Sequence, residues 1–150
     1  MAKALFLPAG ELHAYLEGTG MEIMASSDNV LRGGLTPKHM DPEELVAVLR
    51  FEPGSSEPME GEALDGDARV TLFPVPCEDF SFRVVELAAG DEYRCEVDSA
   101  ELLFFVGDSL QIESDGQAPL GLSSGQTAYC PASQGRYLAR GSGRLFIASC

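Results

Sequence analysis

Residues Pro8-Ala9-Gly10-Glu11-Leu12-His13 form the pattern P-x-G-x-x-H, and a similar pattern returns near the C-terminus, where Gly125 to Arg136 give G-x₅-P-x-S-x-x-R. Glycine and proline at such spacing shape a turn between two strands. The last residue of each pattern then belongs to the strand that follows the turn. This repetition predicts two parts of the chain built on the same strand–turn–strand plan.

The rest of the chain has the residue pattern of an all-β protein. Glycine (16) and proline (9) punctuate short apolar runs, and several runs alternate apolar and polar residues as half-buried strands do. Turns are predicted at Ala89–Asp91 and Val106–Asp108. Strands are predicted at Ala4–Leu7, His13–Leu16, Met21–Met24, Arg69–Phe73, Phe80–Leu87, Tyr93–Val97, Glu101–Val106, Leu110–Glu113, Gln126–Cys130, Arg136–Ala139 and Arg144–Ala148.

One short helix and one linker interrupt this pattern. Asp41 is a good N-cap, and Pro42 suits the first position of a helix that apolar residues continue. Residues 52–67 are rich in Glu, Asp, Gly, Pro and Ser and contain no basic residue. That composition predicts a solvated acidic linker or loop, with a recognition tail as the alternative. The linker therefore divides the chain into two predicted parts, residues 1–51 and residues 68–150.

Both glycine–proline patterns resemble the second conserved motif of the cupin superfamily, G-x₅-P-x-G-x-x-H. The resemblance implies an all-β fold, the cupin double-stranded β-helix (a jelly-roll barrel) with one short helix. It implies an incomplete barrel, the C-terminal part of a catalytic cupin, at 1–51 and a C-terminal cupin-like barrel at 68–150. The histidine of the motif points inward to a metal, and His13 has that place in the first part. Arg136 replaces the histidine in the second part. Since arginine does not bind metal, we expect the second barrel to be metal-free.

The other cupin motif, G-x₅-H-x-H followed by a glutamate and a glycine, has its best counterpart between Gly90 and Gly107. Glu96 and Asp98 occupy the histidine slots, and Glu101 lies near the glutamate slot. We interpret the three acids as polar residues on a strand face. A carboxylate site for a hard cation is the alternative.

Residues 4–51, above all Leu7–Leu16 and Met21–Lys38, resemble type I mannose-6-phosphate isomerases, and 52–150 resemble their C-terminal domain more loosely. The resemblance implies a zinc enzyme that interconverts mannose 6-phosphate and fructose 6-phosphate. The family's other zinc ligands are a glutamine, a histidine and a glutamate in its N-terminal half, so the implied zinc site is incomplete in this chain. The resemblance implies that His13 is a zinc ligand, that Arg32 is the catalytic arginine and that Asp28 transfers a proton. It also implies three residues that line the sugar-phosphate pocket: Tyr15, Glu22 and Lys38.

The implied residues suit the implied reaction. Moving a proton between C1 and C2 of a sugar needs a base and a positive group that stabilises the developing oxyanion. Zinc with an open coordination position polarises the sugar oxygens. Arg32 adds a fixed charge with a planar set of donors, and Lys38 adds a second cation for the phosphate. The stretch Val30–His39 contains no acid, so it forms a basic island in an acidic chain.

Charge and composition narrow the classes of partner. The chain has 150 residues and a formal net charge of −14, which disfavours nucleic acid and anionic membranes as partners. No apolar stretch has the length of a membrane span, and the four cysteines form no closely spaced pair. Composition therefore predicts a cytoplasmic protein with reduced cysteines, and the family resemblance implies a sugar-phosphate substrate.

Two alternatives to the isomerase stay open. The chain can be a non-catalytic cupin fragment, because one histidine does not make a stable zinc site. It can also be an oligomeric sugar-phosphate-binding module. An opened first barrel exposes apolar residues such as Leu5, Leu7 and Leu16, and a homo-oligomer would cover them.

Overall fold

The computed structural model describes residues 3–27, 30–52, 57–64 and 66–150. The chain divides into two compact units, Leu5–Pro58 on one side and residues 3–4 with 59–150 on the other. The elements in chain order are β1 (Lys3–Ala4), α1 (Pro42–Val48), β2 (Met59–Glu60), β3 (Glu62–Leu64), β4 (Asp67–Phe73), β5 (Ser81–Glu96), β6 (Glu101–Glu113), β7 (Leu120–Leu122), β8 (Thr127–Cys130), the 3₁₀ turn Ala132–Gln134, and β9 (Arg136–Ser149).

The larger unit is antiparallel throughout. Its main sheet has the order β3-β4-β5-β9-β6-β7, with β8 also paired to β6, and β1 pairs with β2 beside it. Strand β9 is paired along nearly its whole length, to β5 on one side and to β6 on the other. The all-β prediction with one short helix is confirmed. Two of the short strands, β2 and β3, lie within the 52–67 stretch, which therefore supplies strands as well as loop.

The turns predicted at Ala89–Asp91 and Val106–Asp108 are wrong, because β5 and β6 continue through both places without reversing direction. Each strand instead bends at an irregularity, where its register against β9 shifts. At the β5 irregularity Gly90 has open space around it and takes a positive φ of +91°. At the crossing of β6 and β9 the backbones approach too closely for a side chain: a Cβ on Gly141 would meet the Ser109 carbonyl oxygen. Such glycines mark a bent strand at a close crossing rather than a chain reversal.

Gly143 allows a test of this close approach. Its φ is +146°, and a Cβ there would lie 2.5 Å from the Val106 carbonyl oxygen. We expect Gly143→Ala to lower the free energy of unfolding by about 1–3 kcal/mol, because alanine adds both steric conflict and backbone strain. Urea unfolding measures the change. The matched control is Gly121→Ala, where a Cβ meets nothing within 4 Å; equal losses in both variants would contradict the explanation.

The bends bring both halves of each long strand to one interior. Leu103 and Phe105 precede the bend of β6, Leu110 and Ile112 follow it, and all four are buried in one cluster. Strands β5 and β9 contribute from both halves in the same way, and burying these apolar side chains is the main stabilising contribution to the unit. The cluster contains Val70, Val85, Leu87, Tyr93, Cys95, Val97, Leu103, Phe105, Leu110, Ile112, Leu122, Cys130, Tyr137, Ala139, Leu145 and Ile147.

The unit Leu5–Pro58 is organised differently. Helix α1 begins as predicted, since the Asp41 carboxylate accepts a hydrogen bond of 3.0 Å from the Glu44 N–H and Pro42 follows the cap. The strands predicted at His13–Leu16 and Met21–Met24 do not form. Alternation alone does not make a strand, which needs a neighbour to pair with. None of the described residues of this unit is buried. Within the described ranges, no helix has the length and apolar character required to cross a bilayer.

Candidate active site

A tight turn places the first candidate residue, His13. The Glu11 N–H donates to the Pro8 carbonyl at 3.3 Å, and Gly10 between them has a φ of +83°, which favours glycine. The Gly10 carbonyl accepts a hydrogen bond of 2.9 Å from the Arg50 N–H. A Cβ on Gly10 would lie 2.9 Å from the Val48 carbonyl oxygen. The motif glycine thus lets the loop before His13 dock against the end of α1.

Three of the predicted site residues, His13, Tyr15 and Glu22, lie together. The His13 Nδ1–H donates to the Glu11 carbonyl at 3.2 Å, which directs the other ring nitrogen away from that contact. The His13 ring centroid is 5.9 Å from that of Tyr15, with the planes tilted by 58°. The Tyr15 hydroxyl donates to the Glu22 carboxylate, and this hydrogen bond, with smaller contributions from burial and from the Glu22 charge, raises the pKa of Tyr15. All three side chains are exposed.

The basic residues form no contact with these three among the described residues. Arg32 and Lys38 are exposed, and no described side-chain hydrogen bond or ion pair holds either of them. The Lys38 backbone N–H donates to the Thr36 hydroxyl at 3.2 Å, which shapes the loop but leaves the ammonium group in solvent. Asp28, the predicted proton-transfer residue, lies outside the described residues.

A shallow depression of about 290 Å³ lies beside Tyr15. It is lined by residues 15–20 of the chain, Tyr15 among them. It includes neither His13 nor Arg32, so the depression by itself does not gather the predicted pocket.

The described residues do not form a complete metal site. No group of three or more His, Cys, Asp or Glu side chains in these ranges is arranged to hold an ion. His13 is the one predicted ligand, and its described contacts are the Glu11 carbonyl and the Tyr15 ring. The residues present therefore do not by themselves fit a zinc ion, which takes four ligands in structural sites and three in catalytic ones.

The most buried charged side chain among the described residues is not one that the sequence predicts to be buried. Glu101 is 2% exposed and forms an ion pair with Arg83 of β5. The Tyr137 hydroxyl donates to its other oxygen at 3.0 Å. The interpretation of Glu101 as one polar residue of a strand face is corrected, because its side chain points into the barrel. The signal was present, since Glu101 shares its strand face with Leu103 and Phe105, which lie two and four positions further on.

The other residues compared with cupin ligands stay at the surface. Arg136 is exposed and forms an ion pair of 2.6 Å with Asp115. Glu96 and Asp98 are exposed and lie outside any described metal-binding group. The three acids compared with the first cupin motif therefore separate, one inward and two outward.

The buried tyrosines predict a loss of stability in alkali. Burial, with a smaller contribution from Cys95, raises the pKa of Tyr93 to about 12 from the ordinary value of 10.0, and burial raises that of Tyr137 as well. Because the folded state holds these protons more tightly, the stabilisation from Tyr93 is complete below pH 10 and is lost as the pH rises through 12, and Tyr137 contributes in the same direction. In a pH titration of tyrosinate absorbance we expect both residues to ionise only as the barrel unfolds. Ionisation of all four tyrosines near pH 10 in a folded chain would contradict this.

Comparison with known proteins supplies the relatives. No family model matches the chain. It is 41% identical over 143 residues to the mannose-6-phosphate isomerase of Salmonella typhimurium, covering 95% of this chain and 36% of that protein. The human mannose-6-phosphate isomerase is 33% identical over 140 residues, with 88% of this chain and 32% of that protein covered. The chain is a homologue of the C-terminal part of mannose-6-phosphate isomerases.

Solved structures agree with this assignment to mannose-6-phosphate isomerase. The S. typhimurium enzyme bound to its substrate fructose 6-phosphate and zinc superposes with a TM-score of 0.68 at 38% identity, covering 84% of this chain and 32% of that one. Its apo form gives the same values. The predicted cupin fold is confirmed by these neighbours. The chain spans about a third of the length of the mannose-6-phosphate isomerases that it matches.

Proposed function

We propose that this chain is the C-terminal part of a zinc-dependent aldose–ketose isomerase that interconverts mannose 6-phosphate and fructose 6-phosphate. The observation that carries the proposal is its 41% identity to the S. typhimurium mannose-6-phosphate isomerase over 95% of the chain. The structure of that enzyme with fructose 6-phosphate and zinc supports the same substrate and metal. The alternatives, a non-catalytic fragment and an oligomeric binding module, have no relative among those compared that favours them.

Arg32 and Lys38 are the proposed anion-binding residues. The isomerisation passes through an enediolate, whose developing negative charge needs a fixed positive partner. The guanidinium of Arg32 offers several donors in a planar arrangement that suits an oxyanion. Lys38 is a compact cation suited to a phosphate. Both lie in a loop, Val30–His39, that contains no acid, so nearby carboxylates of their own loop do not compete with the substrate for them.

Tyr15 and Glu22 are proposed to line the sugar-phosphate pocket, next to His13 as a zinc ligand. The hydrogen bond between Tyr15 and Glu22 uses the single phenol hydrogen, so the Tyr15 oxygen is oriented to accept a hydrogen bond from a sugar hydroxyl. The His13 Nδ1–H bond to the Glu11 carbonyl fixes the tautomer in which Nε2 carries the free lone pair, the form that ligates a metal. Asp28 remains the proposed proton-transfer residue.

Zinc belongs to the complete protein in this proposal. Because the described residues supply His13 and no further clustered ligand, no catalytic step in this chain alone is assigned to the metal. The predicted division at 52–67, the cytoplasmic location and the absence of nucleic-acid and membrane partners remain part of the proposal.

A chimera tests the proposal. This chain replaces the matching C-terminal part of the S. typhimurium enzyme, and a coupled assay measures conversion of mannose 6-phosphate to fructose 6-phosphate with zinc. We expect turnover by the chimera that a chelator abolishes, and none by the isolated chain. A folded, zinc-loaded chimera without turnover would overturn the proposed function.

Self-association has its own test. Leu16 is 95% exposed and Leu5 57% exposed in the unit Leu5–Pro58, and exposed apolar groups of this size favour association. We expect the isolated chain to form a dimer or larger species in light scattering, and Leu16→Ser to shift it towards monomer. A monomer at high concentration would contradict the predicted homo-oligomer.

A further inference from the structure

A charged pair lies inside the C-terminal barrel, where apolar residues otherwise fill the space. The Glu101 side chain is 3% exposed and that of Arg83 is 15% exposed. A buried carboxylate costs several kcal/mol unless a charge and hydrogen bonds satisfy it, and here both oxygens are satisfied. One faces the Arg83 guanidinium, and the other accepts the Tyr137 hydroxyl bond of 3.0 Å.

The cluster joins both halves of the bent sheet. Arg83 and Glu101 lie in the first halves of β5 and β6, on either side of the last residues of β9. Tyr137 begins β9 and pairs with Cys95 in the second half of β5. The Arg83 guanidinium also donates to the Cys95 sulfur at 3.2 Å. One guanidinium therefore contacts groups from both halves of the sheet.

Glu101 lies near the position of the metal-binding glutamate in the cupin motif G-x₅-H-x-H, but here its charge is balanced by Arg83. The buried side-chain nitrogen and oxygen atoms of the described residues all have hydrogen-bond partners. Within these ranges no metal-binding group of three ligands includes Glu101.

We propose that Arg83 is a built-in cation of the C-terminal barrel, which neutralises Glu101 and ties the two halves of the sheet together in place of a metal. The role is independent of the isomerase reaction. It makes the barrel self-sufficient, because its interior charge is balanced without an ion from solution. The Arg83–Glu101 pair differs in kind from the surface pairs of the same sheet, which contribute little.

Coupled substitutions test the pair. In urea unfolding of the full 150-residue chain, we expect Arg83→Met and Glu101→Leu each to lower the midpoint strongly, because each leaves one buried charge unpaired. We expect the double variant to be more stable than either single variant. The matched control is the exposed pair Arg144–Glu86 (3.3 Å, side chains 57% and 58% exposed), with Arg144→Met, Glu86→Leu and their combination. Additive losses at Arg83 and Glu101, or coupling no larger than in the control pair, would overturn the proposal.

Thiol accessibility gives a readout besides the midpoint. Cys95 and Cys130 are buried, whereas Cys77 is half-buried and Cys150 exposed. We expect a thiol reagent to modify Cys150 and Cys77 first in the unaltered chain, and to modify Cys95 as well in Arg83→Met and in the double variant, because both lack the guanidinium that links the two halves of the sheet. Cys95 protected equally in all forms would count against a tie at this end of the barrel.

Two outcomes remain decisive if the single variants fail to fold. The double variant carries no buried charge, so the proposal requires it to fold, and its failure would refute the proposal. A chelator added to the unaltered chain should leave the unfolding midpoint of the barrel unchanged, and a fall in the midpoint would mean that a metal, rather than Arg83, balances the interior.

Discussion

Replacing Arg32 with alanine in the chimera with the S. typhimurium enzyme is expected to lower kcat/KM by about 10²–10³-fold, the usual cost of removing one donor that stabilises a developing oxyanion. Zinc content should stay unchanged, because Arg32 is not a ligand. The measurement is steady-state kinetics with mannose 6-phosphate, together with metal analysis of the purified variant.

Two further variants make the Arg32 result specific. Arg94→Ala removes an arginine of the other unit whose side chain is 80% exposed, and it should leave kcat/KM unchanged. Arg32→Lys keeps the charge but loses the planar set of donors, so it should restore only part of the activity. An Arg32→Ala variant with full turnover would remove this residue from the proposed mechanism.

Replacing Phe105 with alanine is expected to lower the free energy of unfolding of the barrel by about 3–5 kcal/mol. Phe105 is 0% exposed, and its ring lies against the crossing where Gly107 and Gly143 meet. Its removal leaves a cavity at the bend, beside Gly107 and Gly143, which carry no side chains to fill it. Urea unfolding followed by circular dichroism gives the value.

The neighbouring phenylalanine is the matched control. Phe104 points to the other face of β6 and is only half-buried, where it packs at a ring distance of 6.2 Å from Phe146. Phe104→Ala removes the same group from the same strand and should cost clearly less. Similar losses for the two variants would mean that the interior defined by both halves of the long strands is not the main core.

The sequence predicted local features well where neighbouring residues decide them. Asp41 and Pro42 begin α1 because a cap and a proline act within one turn. Gly10 of the P-x-G-x-x-H pattern takes the positive φ that the turn before His13 requires. Alternating apolar and polar residues, with glycine and proline between the runs, predicted the all-β class. Short motifs of fixed spacing carried the resemblance to cupins and mannose-6-phosphate isomerases.

Local signals failed where a distant strand decides the outcome. Gly90 and Gly107 have the same composition signal as turn glycines, but β9 lies against both strands and makes them bends. The runs His13–Leu16 and Met21–Met24 alternate as strands do, but no described segment pairs with them. The motif slot of Glu101 predicts a polar strand face, but its true neighbours on that face are Leu103 and Phe105, which point into the core.

By itself, the sequence determined the class of fold, the start of the helix, the turn before His13 and the family whose C-terminal part this chain matches. These depend on backbone preferences and on residue spacing, which act over a few positions. Only the tertiary structure decided that three long strands bend rather than end, that Tyr15 reaches Glu22, and that Arg83 meets Glu101 inside the barrel. The bends and the Arg83–Glu101 pair depend on β9, which lies far along the chain from β5. Tyr15 and Glu22 are closer in sequence, but the fold of the intervening loop decides whether their side chains meet.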